Sequence, residues 1–166
     1  MQALLDRILT ANLIFTTLIF YVTARIYLLP RIQELKPQTI LVPILLLHSL
    51  RHLGLMFLTQ GAVYPGMPAQ FAYPAAIGDF IAALLAFTAI PAVMKGLPAA
   101  RSRLWIFNVV GTLDLIMAIT LATLYQAPLF MGPSYWIPAF WVPALLVTHY
   151  IVFVVLARQG THPGSS

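Results

Sequence analysis

Leu45-Leu46-Leu47-His48-Ser49-Leu50-Arg51-His52-Leu53-Gly54-Leu55 lies in the middle of an apolar run long enough to cross a bilayer. On an α-helix, residues three and four apart share a face, so His48, Arg51 and His52 are expected to point the same way. An Arg near the bilayer centre costs about 2.5–3.5 kcal/mol on insertion scales, and such a residue is normally paired and turned towards protein. The stretch therefore predicts a membrane-spanning helix and, with it, a set of buried polar partners.

The composition agrees. Of 166 residues, 61% are hydrophobic and only 8% are charged, where a soluble domain has about a quarter of its residues charged. The formal charge of +5 comes from nine basic and four acidic side chains. Those basic residues form no patch interleaved with stacking aromatics, so the expected partner is the lipid bilayer and not a nucleic acid. The absence of Cys excludes disulfides, thiol chemistry and Cys-ligated zinc or iron–sulfur sites. Met1 to Arg7 is short and mixed in charge, with no small-residue cleavage site, so the first apolar run reads as a retained span.

A span needs about 20 mostly apolar residues. Five segments qualify: Ile8 to Leu29, ended by Pro30; Thr39 to Thr59; Pro74 to Met94; Arg103 to Tyr125; and Trp136 to Ala157. The expected fold is all-α, an integral membrane bundle of five transmembrane helices forming one domain over 1–159, with a flexible tail over 160–166. Orientation follows from Lys and Arg in the short loops. Arg31 and Lys36 lie in the first loop, Lys95, Arg101 and Arg103 at the third, and Arg158 at the tail, while the second and fourth loops carry no charge. The N-terminus is therefore expected outside and the C-terminus in the cytoplasm, with Arg7 the single dissent. A bacterial inner (plasma) membrane is the expected location.

The two uncharged loops are rich in Pro, Gly and aromatics, among them Tyr64, Pro65, Phe71 and Tyr73 in one and Phe130, Pro133 and Tyr135 in the other. With Trp136 and Trp141 they read as an interfacial aromatic belt, or as a lid over a site reached from the outer side. Gly78-Asp79 and Gly111 with Asp114 give spans three and four a faint likeness, for which chance is the better explanation. Pro43, Pro91 and Pro143 are expected to kink spans two, three and five.

Depth decides which buried polar groups can meet. At 1.5 Å of rise per residue, His48 and Asp114 fall roughly 16 Å below the outer boundary and His149 at roughly 20 Å. Arg51 and His52 fall at roughly 10–12 Å and Asp79 at roughly 7 Å. Two layers are expected: His48, Asp114 and His149 at mid-membrane, and Arg51, His52 and Asp79 above them. Asn12, Asn108 and Arg25 lie towards span ends, where snorkelling reduces their cost. Arg51 is fixed positive and the two Asp supply two negatives, so a neutral cluster needs one further proton on Asp or His. That proton makes the cluster a candidate for proton-coupled work.

Each residue also has a plain structural role open to it. Arg51 with Asp79 or Asp114 can be an ion pair that fixes helix register. His149 can be a hydrogen-bonded core His, and Ala82, Ala83, Ala86 and Gly111 permit close helix packing. The conjunction of three His, two Asp and one Arg inside apolar spans raises the functional reading. The leading expectation is a cofactor or small-ligand site built from His48, Arg51, His52, Asp79, Asp114 and His149. Haem b or a divalent metal is the favoured occupant, with His48 and His149 as ligands and His52 behind them. A small apolar ligand or quinone is a further candidate. Proton or ion transport by a homo-oligomer, a non-catalytic subunit bound to a membrane partner, and acid–base chemistry on a lipid are the alternatives.

Overall fold

Each of the five apolar runs forms a helix in the computed structural model, which describes residues 2–160. The helices are α1 (Gln2–Thr23), α2 (Pro37–Ser49), α3 (Ala69–Met94), α4 (Ala100–Leu124) and α5 (Val142–Gly160). Among the described residues there is no strand. The tail expected over 160–166 lies, but for Gly160, outside the described residues.

Three spans continue their α-helix with a change of pitch. The first runs on through a π turn (Ala24–Leu28) and a 3-10 turn (Leu29–Arg31). The second tightens into a nine-residue 3-10 stretch, Leu50–Leu58. The fifth is preceded by 3-10 turns at Ala127–Phe130 and Gly132–Tyr135 and a π turn at Ile137–Trp141. Pro138 and Pro143 lack the N–H that a regular α-turn needs, and the backbone widens beside them. With these extensions all five helices are long and apolar enough to cross a membrane. Span three begins earlier than expected, at Ala69 after Pro68, because Pro74 is accepted inside α3 and does not start it, and span four begins three residues early, at Ala100.

The third helix is the centre of the bundle. It packs on both halves of span two and on α4, through Ala75, Ala76, Ala82, Ala83, Ala86 and Ala89, all buried. Small side chains let backbones approach closely where lipid gives no hydrophobic drive to associate. Helix α1 is peripheral and packs on α5 and the turns before it. Only 6% of its most apolar window is buried in the bundle, against 56% for the fifth span.

Two apolar cores result. One joins Ile44, Leu45, Ala86, Phe107, Val152 and Leu156 in the half bearing the basic loops. The other joins Phe57, Phe71, Ala75, Ala122, Met131 and Ile137 beneath the uncharged loops. Those two loops are tied to one another by Tyr64 N–H donating to Phe130 O (2.8 Å) and Ser134 N–H donating to Ala62 O (3.0 Å). Along the second, third and fourth spans, Arg51, Asp79 and Asp114 fall between the two cores.

Candidate functional site

Arg51 sits where span two has just tightened. In a 3-10 helix residues i and i+3 eclipse, and from Leu45 onward the buried residues of this span form a row of that period: Leu45, His48, Arg51, Gly54 and Phe57. The α-helical expectation for His52 fails for the same reason. Four residues advance about 40° past a full turn in an α-helix but about 120° in a 3-10 helix. His52 therefore leaves the row, is exposed, and has its Nδ1 3.0 Å from the carbonyl of Ser49.

The change of pitch also merges the two expected layers into one. A rise of 2.0 Å per residue sets Arg51 roughly 14 Å below Leu58, deeper than α-helical counting gives. From there its guanidinium reaches everything at once. Nε donates to Asp79 Oδ1 (2.8 Å), Nη2 donates to Asp114 Oδ2, and Nη1 donates to Gly111 O (3.1 Å). Nη1 also faces His149 Nε2 at 3.3 Å. Arg51 is only 1% exposed, so the whole charge is met by protein.

These bonds fix two histidine tautomers. A guanidinium only donates, so His149 Nε2 must be the accepting nitrogen and Nδ1 carries the hydrogen. Nδ1 donates to Asn108 Oδ1 (2.7 Å), and Asn108 Nδ2 donates back to His149 O (3.2 Å). His149 is thus neutral. Thr148 Oγ1 donates to the carbonyls of Ala144 and Leu145 (2.8 and 3.0 Å) and so accepts from His48 Nε2 at 2.9 Å. Among the described residues two buried acceptors are left without a partner, His48 Nδ1 and Asp114 Oδ1.

Three glycines make room for the cluster. A methyl at Gly54 would overlap the Asp79 carboxylate, and one at Gly78 the Asp114 carboxylate. At Gly111 it would stand 2.6 Å from His149 Cε1 and 3.0 Å from Arg51 Nη1. The glycines are as much part of the site as the charges.

The expected metal pair needs correction. His48 and His149 do meet, with ring centroids 4.3 Å apart and both rings against Phe107. A ligating nitrogen stands about 2 Å from its metal, and two axial ligands would have the haem plane between them. Rings in mutual contact leave no space for that plane. Both nitrogens of His149 are engaged, one of them facing a cation. Among the described residues no group of three His, Asp or Glu is arranged to hold a metal ion.

Sequence reasoning missed Asn108, assigned to a span end, as well as Thr148, Gly54 and Gly78. The one available signal was spacing. Asn108, Gly111 and Asp114 recur every three residues, close to one helix face.

A cavity of about 240 Å³ opens beside this cluster, between α1, α3, α4 and the π turn before α5. Leu13, Phe57, Leu115, Ile119 and Ile137 are among its walls, and among the described residues Asp79 is its only charged lining residue. The Asp79 side chain keeps 14% of its exposure while Arg51 keeps none.

Residues 8–157 match the profile of a family described as a domain of unknown function, DUF8737. The chain belongs to that family. No curated protein and no solved structure matches it. In this DUF8737 chain the matched range takes in nearly all of the five spans and every member of the Arg51 cluster.

Proposed function

We propose that this chain is an integral membrane protein that binds a small, largely apolar molecule with one polar head, the head hydrogen-bonded to Asp79. The observation that carries this reading is the cavity of about 240 Å³ whose walls are mostly apolar and whose one charged lining residue, among the described residues, is Asp79. Pockets for small molecules are mostly apolar, with few polar groups to fix orientation, and an intramembrane carboxylate is costly enough to need a reason. Arg51 holds Asp79 Oδ1 in place, so the carboxylate is pre-oriented. This ligand takes the place of the haem or divalent metal that the histidine count suggested, because the His48 and His149 rings are in mutual contact and both nitrogens of His149 have protein partners.

Access is from the bilayer, between α1 and α4, and in the outer half if the basic loops are cytoplasmic. The N-terminus then lies outside. A single Cys replacing Gln70 reacts with an impermeant maleimide in intact cells and one replacing Ser102 only after permeabilisation; the reverse pattern removes this orientation. Ligand binding is tested on purified protein with decanol, decylamine and a decyl-substituted quinol as probes. At least one raises the melting temperature of the wild type, and Ala118→Phe, which fills the cavity, abolishes the shift. Equal shifts in both proteins, or none in the wild type, overturn the reading.

A further inference from the structure

The cluster is not balanced in charge. Arg51 carries one positive charge and donates to two carboxylates, and the bonding described above makes His149 neutral. With both Asp ionised a net negative charge would remain in apolar surroundings, which strongly disfavour it. Among the described residues no second cation faces the cluster. Span two contributes Arg51 and, beyond the guanidinium, His48; α4 contributes Asp114 and α5 contributes His149. The described residues of α1 and of the π turn that line the cavity, Leu9, Thr10, Leu13, Ile137 and Pro138, are uncharged. One more positive charge is required, and the oxygen that accepts it must exchange with something outside.

Asp114 has no outlet. It is 7% exposed, and its free Oδ1 lies over Gly78 with no partner. Asp79 has one, since it lines the cavity. We propose that Asp79 carries one exchangeable proton and that the cavity takes lipophilic cations, such as long-chain ammonium ions, in exchange for it. The exchange is stoichiometric. The carboxyl O–H gives its proton to solvent or lipid headgroup, and the resulting carboxylate pairs with the ligand N–H. Neither state leaves the cluster charged. A hydrated metal ion is a poor occupant, because among the described residues the cavity lining offers, apart from Asp79, only Thr10 and Thr123 as polar side chains, not the ring of oxygens that replaces a hydration shell.

This inference rests on the cavity being a binding site, and it is tested separately from that reading. Dicyclohexylcarbodiimide is an apolar reagent that requires the protonated carboxyl: the oxygen bonds to its central carbon and the proton goes to nitrogen. In wild-type protein reconstituted in phosphatidylcholine vesicles, mass spectrometry finds the adduct on Asp79, and its yield falls as pH rises. Decylamine at neutral pH protects Asp79 at least tenfold, whereas decanol does not. Asp114→Asn abolishes labelling of Asp79 although Asp79 is unchanged, because Asp79 then serves as the sole counter-ion of Arg51. A merely accessible carboxyl would not respond to that substitution. An adduct on Asp114 in place of Asp79, no adduct at any pH, or equal protection by decanol and decylamine overturns the exchange. If decanol or the quinol binds while Asp79 stays unlabelled, the cavity reading stands and the exchange falls.

Discussion

The two halves of the second span obey different periods. In the α-helical half, Ile40, Leu41, Ile44, Leu45 and His48 are buried, a stripe repeating every three to four residues. In the 3-10 half the buried residues are Arg51, Gly54 and Phe57, one in three without exception. The first half is ordinary packing against the core below. The second is a run far longer than the three or four residues at which 3-10 segments usually stop, and every buried position in it serves the site. Arg51 supplies the charge, Gly54 makes room for Asp79, and Phe57 forms part of the cavity wall. A tighter turn sacrifices hydrogen-bond geometry, and what it achieves here is a row narrow enough to set three residues in line against α3.

The sharpest way to break that comparison is to remove the charge. Arg51→Ala leaves the buried Asp114 carboxylate without its counter-ion and is expected to cost about 3–5 kcal/mol. Combining it with Asp79→Asn and Asp114→Asn removes the uncompensated charge and recovers part of the loss. The measurement is unfolding in mixed micelles through a mutant cycle. Strict additivity would mean that Arg51 and the carboxylates do not interact. Ile44→Ala, in the α-helical half, is the control: it removes packing alone and shows no coupling to either Asp.

The glycine row comes next. Gly54→Ala forces a methyl into the Asp79 carboxylate and is expected to cost up to about 3 kcal/mol, while Leu55→Ala, one residue on and exposed, costs little. In an α-helix Ala is the better helix former by about 1 kcal/mol, so a helix free of the carboxylate would be stabilised by the same change. Stabilisation by Gly54→Ala would therefore remove the close approach from the account.

How much of this was legible in the sequence depends on the kind of signal. The five spans were, because about 20 apolar residues in a row have few other uses. The pairing of Arg51 with carboxylates was, because an intramembrane Arg needs them. The meeting of His48 and His149 followed from counting rise along antiparallel helices. The pitch change did not show: Leu50 to Leu58 contains no residue that forbids an α-helix, and its preference for the tighter turn is tertiary. Depths counted at a uniform 1.5 Å then split one cluster into two. Asn108 was placed by its distance from a span end, yet it is fully buried and pairs with the backbone and ring of His149. The cavity is a property of α1 leaning on α5 and away from α4, which no local pattern records.

Asn108 gives a smaller and more specific effect than the glycines. Asn108→Ala removes both bonds to His149 and is expected to cost about 1 kcal/mol, the usual scale for interhelical hydrogen bonds in membranes. Its distinctive consequence is on the ring. Without Asn108 Oδ1 the Nδ1 hydrogen of His149 loses its acceptor, so the tautomer facing Arg51 is no longer enforced. Nitrogen-15 NMR of His149 separates the cases: a single Nδ1–H tautomer in the wild type, a mixture in the variant. A single Nε2–H form in the wild type would contradict the bond from Arg51.

The smallest effect is expected at His52, and it carries the comparison furthest. Were span two α-helical throughout, His52 would stand one turn above His48 on the face that meets α3, and His52→Ala would disturb Arg51 and its carboxylates. In the 3-10 half it is exposed and holds only the carbonyl of Ser49 within its own helix. His52→Ala should then change stability by no more than about 0.5 kcal/mol and leave carbodiimide labelling of Asp79 untouched. His48→Ala, four residues earlier and fully buried, loses its bond to Thr148 and its packing on Phe107, and should cost several times as much. Equal losses at the two positions would restore the uniform α-helix. The row of Arg51, Gly54 and Phe57 would then need another cause.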